Sequence, residues 1–374
     1  MLTKNERKMK KYRIFEQMRA IRHLSVLLVV LIFGITSLTL PATAATTGNN
    51  SILVSLVPPS YPGSLNPTFD RTKVKFGITP TGWSNSDDLS IDLTPRIPYQ
   101  QILSEIALSG FVGTQMSPKY PKYPEEKDVL KSELALRNVV ISEPWVGTHF
   151  TQEGQGKETI EEFDKQVAFM KDMGGTKIVV AELGGAVHQQ VPGVDPLTNR
   201  PHFSDQQWSD LLEGLNDLGE RAKGQSMQLV YHPHIGTGVE DFADIDRLMS
   251  GTDPETVKLL LDTGHLYYAG VDPLAVTQKY ADRIEHVHLK NIRQSVLDAS
   301  KKTGRSFLDS IRAGIFTVPG DSKGAIDFQP ILQELAKAKY KGWLMVEAEQ
   351  DPHNTNPLKD AVIARSYLRE VTGL

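Results

Sequence analysis

Val257-Lys-Leu-Leu-Leu261 followed by Asp262-Thr-Gly-His265 decides how this chain is read. An apolar run short enough to be a strand buried on both faces stops at a carboxylate, and a small Thr-Gly pair then delivers a histidine three residues on. That is the form of a strand feeding a site.

The same grammar recurs on either side. Ile178-Val-Val-Ala ends at Glu182, and Gln228-Leu-Val-Tyr ends at His232 with His234 beyond it. Glu285-His-Val-His288 is itself a short strand, and Gly342-Trp-Leu-Met-Val ends at Glu347. Segments of helical periodicity separate these runs, and ligands collect at the carboxyl ends of strands in parallel α/β folds. All five endings are therefore expected in one place.

Earlier in the chain, residues 73–78, 111–115 and 139–145 read as three more strands, the second ending at Gln115 and the third at Trp145. Helices are expected over 99–109, from 159 to Gly174-Gly175, from the capping-box sequence Ser204-Asp-Gln-Gln207 to Gly224, and over 273–280 and 328–338. Eight strands alternating with helices predict a (β/α)8 barrel. The competing open doubly wound sheet announces itself by a glycine-rich phosphate loop after the first strand. Thr79-Pro-Thr-Gly-Trp-Ser-Asn85 is not one.

A chain of 374 residues has ample core for such a barrel. Its net charge of −4, with both signs interspersed, gives no reason to expect a nucleic-acid partner. The complete absence of cysteine excludes disulfide scaffolds, thiolate metal sites and cysteine nucleophiles. Residues 1–22 are rich in Lys and Arg, residues 24–40 are almost wholly apolar, and Ala42-Thr-Ala44 follows. We read 1–44 as a secretory signal, 45–72 as a Ser/Thr/Asn/Pro-rich flexible linker, and 73–374 as the barrel. The expected location is therefore periplasmic or extracellular. The alternative is an uncleaved anchor, the one case in which membrane contact is expected.

In His286-Val-His288 the strand period of two puts both imidazoles on one face, and the same parity pairs His232 with His234. Asp262 and Glu347 sit near them in barrel order. Clustered carboxylates repel one another unless a cation or a proton intervenes. Mixed imidazole and carboxylate donors suit Mn, Co or Zn, and a polar hydrogen-bonded core or an acid/base pair alone is the reading without an ion. Such an ion polarises a carbonyl or hydroxyl so that the neighbouring C–H proton can leave. Glu182, Glu347 and Lys290 are candidates for moving that proton, with Lys290 alternatively a solvated rim residue. His234 and His265 are candidates for holding polyol hydroxyls, and Gln115 and Trp145 for further substrate contacts. Trp83 would form either one wall of a sugar site or a plug at the barrel mouth.

These residues lie in six ordered motifs: Gly77-Ile-Thr-Pro-Thr-Gly-Trp-Ser-Asn85, Leu229-Val-Tyr-His-Pro-His-Ile-Gly-Thr-Gly238, Asp262-Thr-Gly-His-Leu-Tyr267, His286-Val-His-Leu-Lys290, Phe316-Thr-Val-Pro-Gly320 and Val346-Glu-Ala-Glu-Gln-Asp351. On them the chain from residue 75 to about 369 resembles the inosose dehydratase family, within the xylose-isomerase-like metal-dependent TIM barrels. The resemblance implies a lyase that removes water from a keto-inositol to give a diketone. It implies one metal ligand from each of strands five to eight, here His232, Asp262, His288 and Glu347. Strand five then supplies His where relatives commonly use Glu, and His234 or Glu182 is the alternative there. Manganese or cobalt, and glutathione, are the cofactors it implies. Two departures stand out: Gln115 where the family tends to carry Glu, and Ala181-Glu-Leu-Gly-Gly185 where Ser-Glu-Gln-Gly is more usual.

The expected activity is dehydration of inosose or a related cyclic keto-polyol. Sugar isomerisation or epimerisation, or 3-keto-glycoside cleavage, through the same enediolate is the second reading. A non-catalytic extracytoplasmic sugar binder is the third.

Overall fold

The computed structural model describes residues 63–374, so the expected signal over 1–44 and most of the expected linker lie outside the described residues. The strands are β1 (Val74–Ile78), β2 (Gly113–Thr114), β3 (Val140–Ile141), β4 (Trp145–Thr148), β5 (Lys177–Glu182), β6 (Gln228–Tyr231), β7 (Val257–Asp262), β8 (Ile284–Leu289), β9 (Asn291–Ile292), β10 (Phe316–Thr317) and β11 (Gly342–Val346). Nine of them form one parallel sheet in the order β3-β2-β1-β11-β8-β7-β6-β5-β4, and β9 and β10 make a small antiparallel pair beside it. Its two outermost members are consecutive pieces of one segment. Met116 N donates to Glu143 O on one side of the intervening tripeptide, and Val179 N donates to Pro144 O on the other. The ladder thus runs round into a TIM-barrel-like α/β fold, as the alternation predicts.

The third strand differs from expectation, being broken at Ser142-Glu143-Pro144 and resuming to Thr148. Pro144 has no N–H to give, so the ladder is interrupted there. The expected helices are all present, with Gly156–Met173 ending on Gly174 in the left-handed conformation (φ 74°) and Asp205–Gly224 opened by a complete Ser204/Gln207 capping box. Helices Lys127–Arg137, Phe242–Gly251, Gln294–Thr303 and Pro357–Thr372 complete the main outer ring. Among the described residues no helix is long and apolar enough to cross a membrane.

The last residues assigned to the linker belong to the domain instead. Leu65 and Phe69 are buried, Ser64 N donates to Val371 O (2.9 Å) and Arg71 Nη2 donates to Gly373 O (2.6 Å). Two apolar residues four apart among Pro, Ser and Asn leave little compositional trace, yet both are buried.

Strand register sorts the side chains into two layers. Val179, Val230 and Leu260 form a small cluster with Trp145 inside the barrel, while Val180, Tyr231 and Leu261 join the larger core under the helices. Inward parity therefore runs through 143 and 145, 230 and 232, 260 and 262, 286 and 288, and 345 and 347. It carries the polar residues onto the floor of the barrel mouth.

Candidate metal and substrate site

Asp262 and His288 are register partners on β7 and β8, one layer above Leu260 and His286. Asp262 divides its labour. Its Oδ1 caps the short helix Thr263–Tyr268 by accepting from the backbone N–H groups of Gly264 and His265, each at 2.9 Å, which leaves Oδ2 facing inward. His232 Nε2 lies 3.3 Å from that oxygen and His288 Nδ1 3.6 Å from it. His288 Nδ1 is also 2.7 Å from Glu347 Oε2.

These four atoms come from the ends of β6, β7, β8 and β11, and all four residues are buried. None of them meets a partner with good hydrogen-bond geometry, and close ion-pair contacts alone hold them. Buried polar atoms left in that condition are costly, and donors of this type converging within reach of one another are what a divalent ion coordinates. His232, Asp262 and His288 have ligand atoms mutually within 4.8 Å, and Glu347 joins Asp262 in an adjoining group of the same size. The ligand set expected by resemblance is thus assembled in space, and its donor chemistry fits a divalent metal.

The electrostatics follow from this crowding. Burial opposes charge on Asp262 and Glu347, but Lys290 and His288 hold both carboxyls below their ordinary range. Burial likewise opposes charge on His288, and Glu347 and Asp262 outweigh it, keeping the ring protonated above its usual value. A bound cation would take that proton's place on Nδ1. His232 goes the other way, pushed down to about 4 because burial outweighs its contact with Asp262.

Glu143 was not singled out from the sequence. It occupies the break in the third strand, fully buried, with its carboxylate 3.4 Å from His286 Nε2 and 3.5 Å from His288 Nε2. Burial is outweighed by the two imidazoles, which lower Glu143 to about 2. It faces the edge of His288 opposite the converging donors. A carboxylate there fixes which ring nitrogen is free for a metal.

Lys290 is not a solvated rim residue. Its side chain is fully buried, with Nζ 2.6 Å from Glu349 Oε1, 3.1 Å from Glu347 Oε2 and 3.3 Å from Asp262 Oδ2. His265 Nε2 lies 2.7 Å from the same ammonium, and burial and then Lys290 lower that ring to about 3, so neutral His265 accepts from Lys290. Burial works against the lysine's charge, and Asp262, Glu347 and Glu349 more than offset it. These carboxylates hold the group as an ammonium at the floor of the site.

A cavity of about 430 Å³ opens above these residues, lined among others by Gln115, Trp145, His188, His232, His234 and Glu347. Gln115, Trp145 and His234 thus fall where substrate contacts were expected. His265 does not: it lies behind His234, with ring centroids 3.8 Å apart, and its Nε2 is committed to Lys290. Trp83 is buried, is not among the residues lining this cavity, and donates from Nε1 to Glu105 Oε2 (2.6 Å) on the helix Tyr99–Leu108.

Glu182 departs furthest from expectation. It shares the outward parity of Val180, and its carboxylate accepts from Thr148 Oγ1, Phe150 N, Thr151 N, Thr151 Oγ1 and Gly184 N at 2.8 to 3.2 Å. Three of these donors lie in the loop after β4, Thr148 ends that strand and Gly184 follows β5, and Glu182 is not among the residues lining the cavity.

Two other carboxyls line the cavity, Asp87 on the loop after β1 and Glu349 beyond β11. Glu349 has Oε2 unpartnered and is raised to about 7 by burial and the charge of Glu347, against the pull of Lys290. Asp87 accepts from Gln189 Nε2 (2.8 Å) and is likewise raised to about 7, by burial and then the charge of Glu349. The strand period points to Glu349 as two residues beyond Glu347; no periodic signal marks Asp87 or His188, which sit on loops.

Residues 97–371 match the family described as xylose isomerase-like TIM barrel. The chain is 45% identical over 302 residues to an inosose dehydratase of Clostridium botulinum, covering 81% of this chain and 98% of that one. It is 44% identical over 307 residues to an inosose dehydratase of Geobacillus thermodenitrificans, covering 82% of this chain and 100% of the relative. In fold it matches a crystal structure of the IOLI protein with a bound zinc atom, at a TM-score of 0.56 and 16% identity, over 80% of this chain and 98% of that one.

Proposed function

The chain belongs to the inosose dehydratases within the xylose isomerase-like TIM barrel family, and we propose that it is a metal-dependent hydro-lyase acting on inosose or a closely related cyclic keto-polyol. The observation that carries this reading is the convergence of four buried, hydrogen-bond-free donor atoms from His232, Asp262, His288 and Glu347 beneath a cavity of about 430 Å³. Manganese or cobalt is the proposed ion. Glutathione rests on the family resemblance alone.

When bound, the ion supplies a Lewis acid for the ketone and the neighbouring hydroxyl, which acidifies the α C–H. The protein's own groups do the rest. Glu349, which lines the cavity and has Oε2 without a hydrogen-bond partner, takes the α-proton and leaves an enolate. The ammonium of Lys290 is fixed beside Glu347 and Glu349 and stabilises negative charge developing there. Asp87, from the loop after β1, gives its proton to the departing hydroxyl, which leaves as water. Gln115, Trp145 and His234 bound the ring and select its shape. Glu347 serves as a ligand in this scheme, because its contact with His288 leaves it poorly placed as a base.

Following the absorbing enedione product when manganese-loaded protein meets inosose tests the assignment. Product formation that stops on chelation is expected. C–H exchange in D2O without product would shift the assignment to isomerisation or epimerisation. Binding without exchange or product would shift it to a sugar binder. The basic and apolar stretches before Ala42-Thr-Ala44 remain the ground for proposing export.

A further inference from the structure

We propose that the centre is built for two cations, and that the ammonium of Lys290 is the second of them, filling a nest of donors that would otherwise take a second divalent ion. The inference rests on the metal reading given above.

Three groups of potential ligands lie beside the His232/Asp262/His288 set: Glu143, His286 and His288 behind the His288 ring, and, around Lys290, Asp262, His265 and Glu347 in one and His234, His265 and Glu349 in the other. Lys290 Nζ stands among the last two, 2.6 Å from Glu349 Oε1, 2.7 Å from His265 Nε2, 3.1 Å from Glu347 Oε2 and 3.3 Å from Asp262 Oδ2. Two of these oxygens, Asp262 Oδ2 and Glu347 Oε2, are the same atoms that approach His288 Nδ1 at 3.6 and 2.7 Å. They are shared between the two positions, as bridging carboxylates are shared in two-metal sites whose ions lie roughly 3.5–4 Å apart.

The surroundings are fitted to a lysine. A Cβ on Gly264 would come within 2.4 Å of Lys290 Cγ and 2.7 Å of Cδ, so the side chain's stem passes through space that only glycine leaves open. Thr263 Oγ1 accepts from Lys290 N (3.0 Å) and donates to Lys290 O (2.8 Å), fixing the backbone at the same point. The Phe316 ring closes the remaining side with its centroid 5.0 Å from Nζ. An aromatic face is a poor partner for a strongly hydrated divalent ion and a good one for an ammonium. The neutral Nε2 of His265 accepts from that ammonium, although the same nitrogen would serve a metal equally well.

The test is metal stoichiometry. The full chain, the Lys290→Met variant and the Lys290→Gln variant are saturated with Mn2+, freed of excess, and measured by elemental analysis and electron paramagnetic resonance. Wild type is expected to hold one ion per chain with the signal of isolated Mn2+. Either variant, shown folded by circular dichroism, is expected to hold two ions with a spin-coupled signal. A folded variant that still takes one ion overturns the proposal. Two coupled ions in wild type overturn it as well, and need no variant to fold. Wild type that binds none removes the metal reading itself, which separates the two failures.

Discussion

Glu143 Oε1 lies 3.5 Å from Nε2 of His288, while the other ring nitrogen of that histidine points at Asp262 and Glu347. One carboxylate in a strand break thereby orients an imidazole contributed by a strand across the barrel. Glu143→Gln is expected to weaken metal affinity by roughly 10- to 100-fold with little change in fold. Competition with a chromophoric chelator measures it. Unchanged affinity would remove Glu143 from the centre.

Asp262 caps a helix with Oδ1 and turns Oδ2 toward the position proposed for the ion. Asp262→Asn keeps a capping oxygen and should cost little stability, yet it is expected to lose the metal. Asp262→Ala should lose the metal and also about 1 kcal/mol from the missing cap. Metal analysis and urea unfolding on the pair separate the roles. An Asn variant that retains full metal would refute the ligand set.

Asp87 and Glu349 both sit near 7, on the proposed acid and base sides of the reaction. Asp87 must carry its proton, so kcat/KM is expected to fall as pH rises past about 7. Glu349 must be ionised, so it should also fall as pH drops below about 7, giving a bell. Asp87→Asn should lower the rate and flatten the alkaline limb, and Glu349→Gln the acidic limb. A profile left with both limbs in either variant would reassign that group.

Glu182 accepts hydrogen bonds from five donors at the end of β4, in the loop after it and just beyond β5. Glu182→Ala strands several buried donors and is expected to cost roughly 3 kcal/mol of stability. KM and metal affinity of the folded fraction should not move. A variant of wild-type stability with collapsed turnover would return Glu182 to the list of catalytic groups.

The barrel was legible in the residues because its signals are local. Val257–Asp262 and its counterparts announce buried strands by composition, and the period of two pairs 286 with 288 and 232 with 234, but that 232, 262, 288 and 347 share one inward parity comes from the strand register. The same rule marks Glu182 as outward once its register with β6 is known, and register is a property of the assembled sheet. Glu143 was hidden because the third strand reads as continuous, and the break at Pro144 shows only in the ladder. Asp87 and His188 arrive on loops, whose end points no periodicity encodes.

From the sequence alone came the alternation of strands and helices and a pool of candidate donors at the strand ends, since both follow from side-chain chemistry repeated at fixed spacing, while the family resemblance picked four of them out. The tertiary structure decided which donors meet and in what charge state. Desolvation and the approach of Lys290, Glu349 and His265 from separate strands and a short helix set those states, and such distances between residues far apart in sequence exist only after the ring of strands has formed.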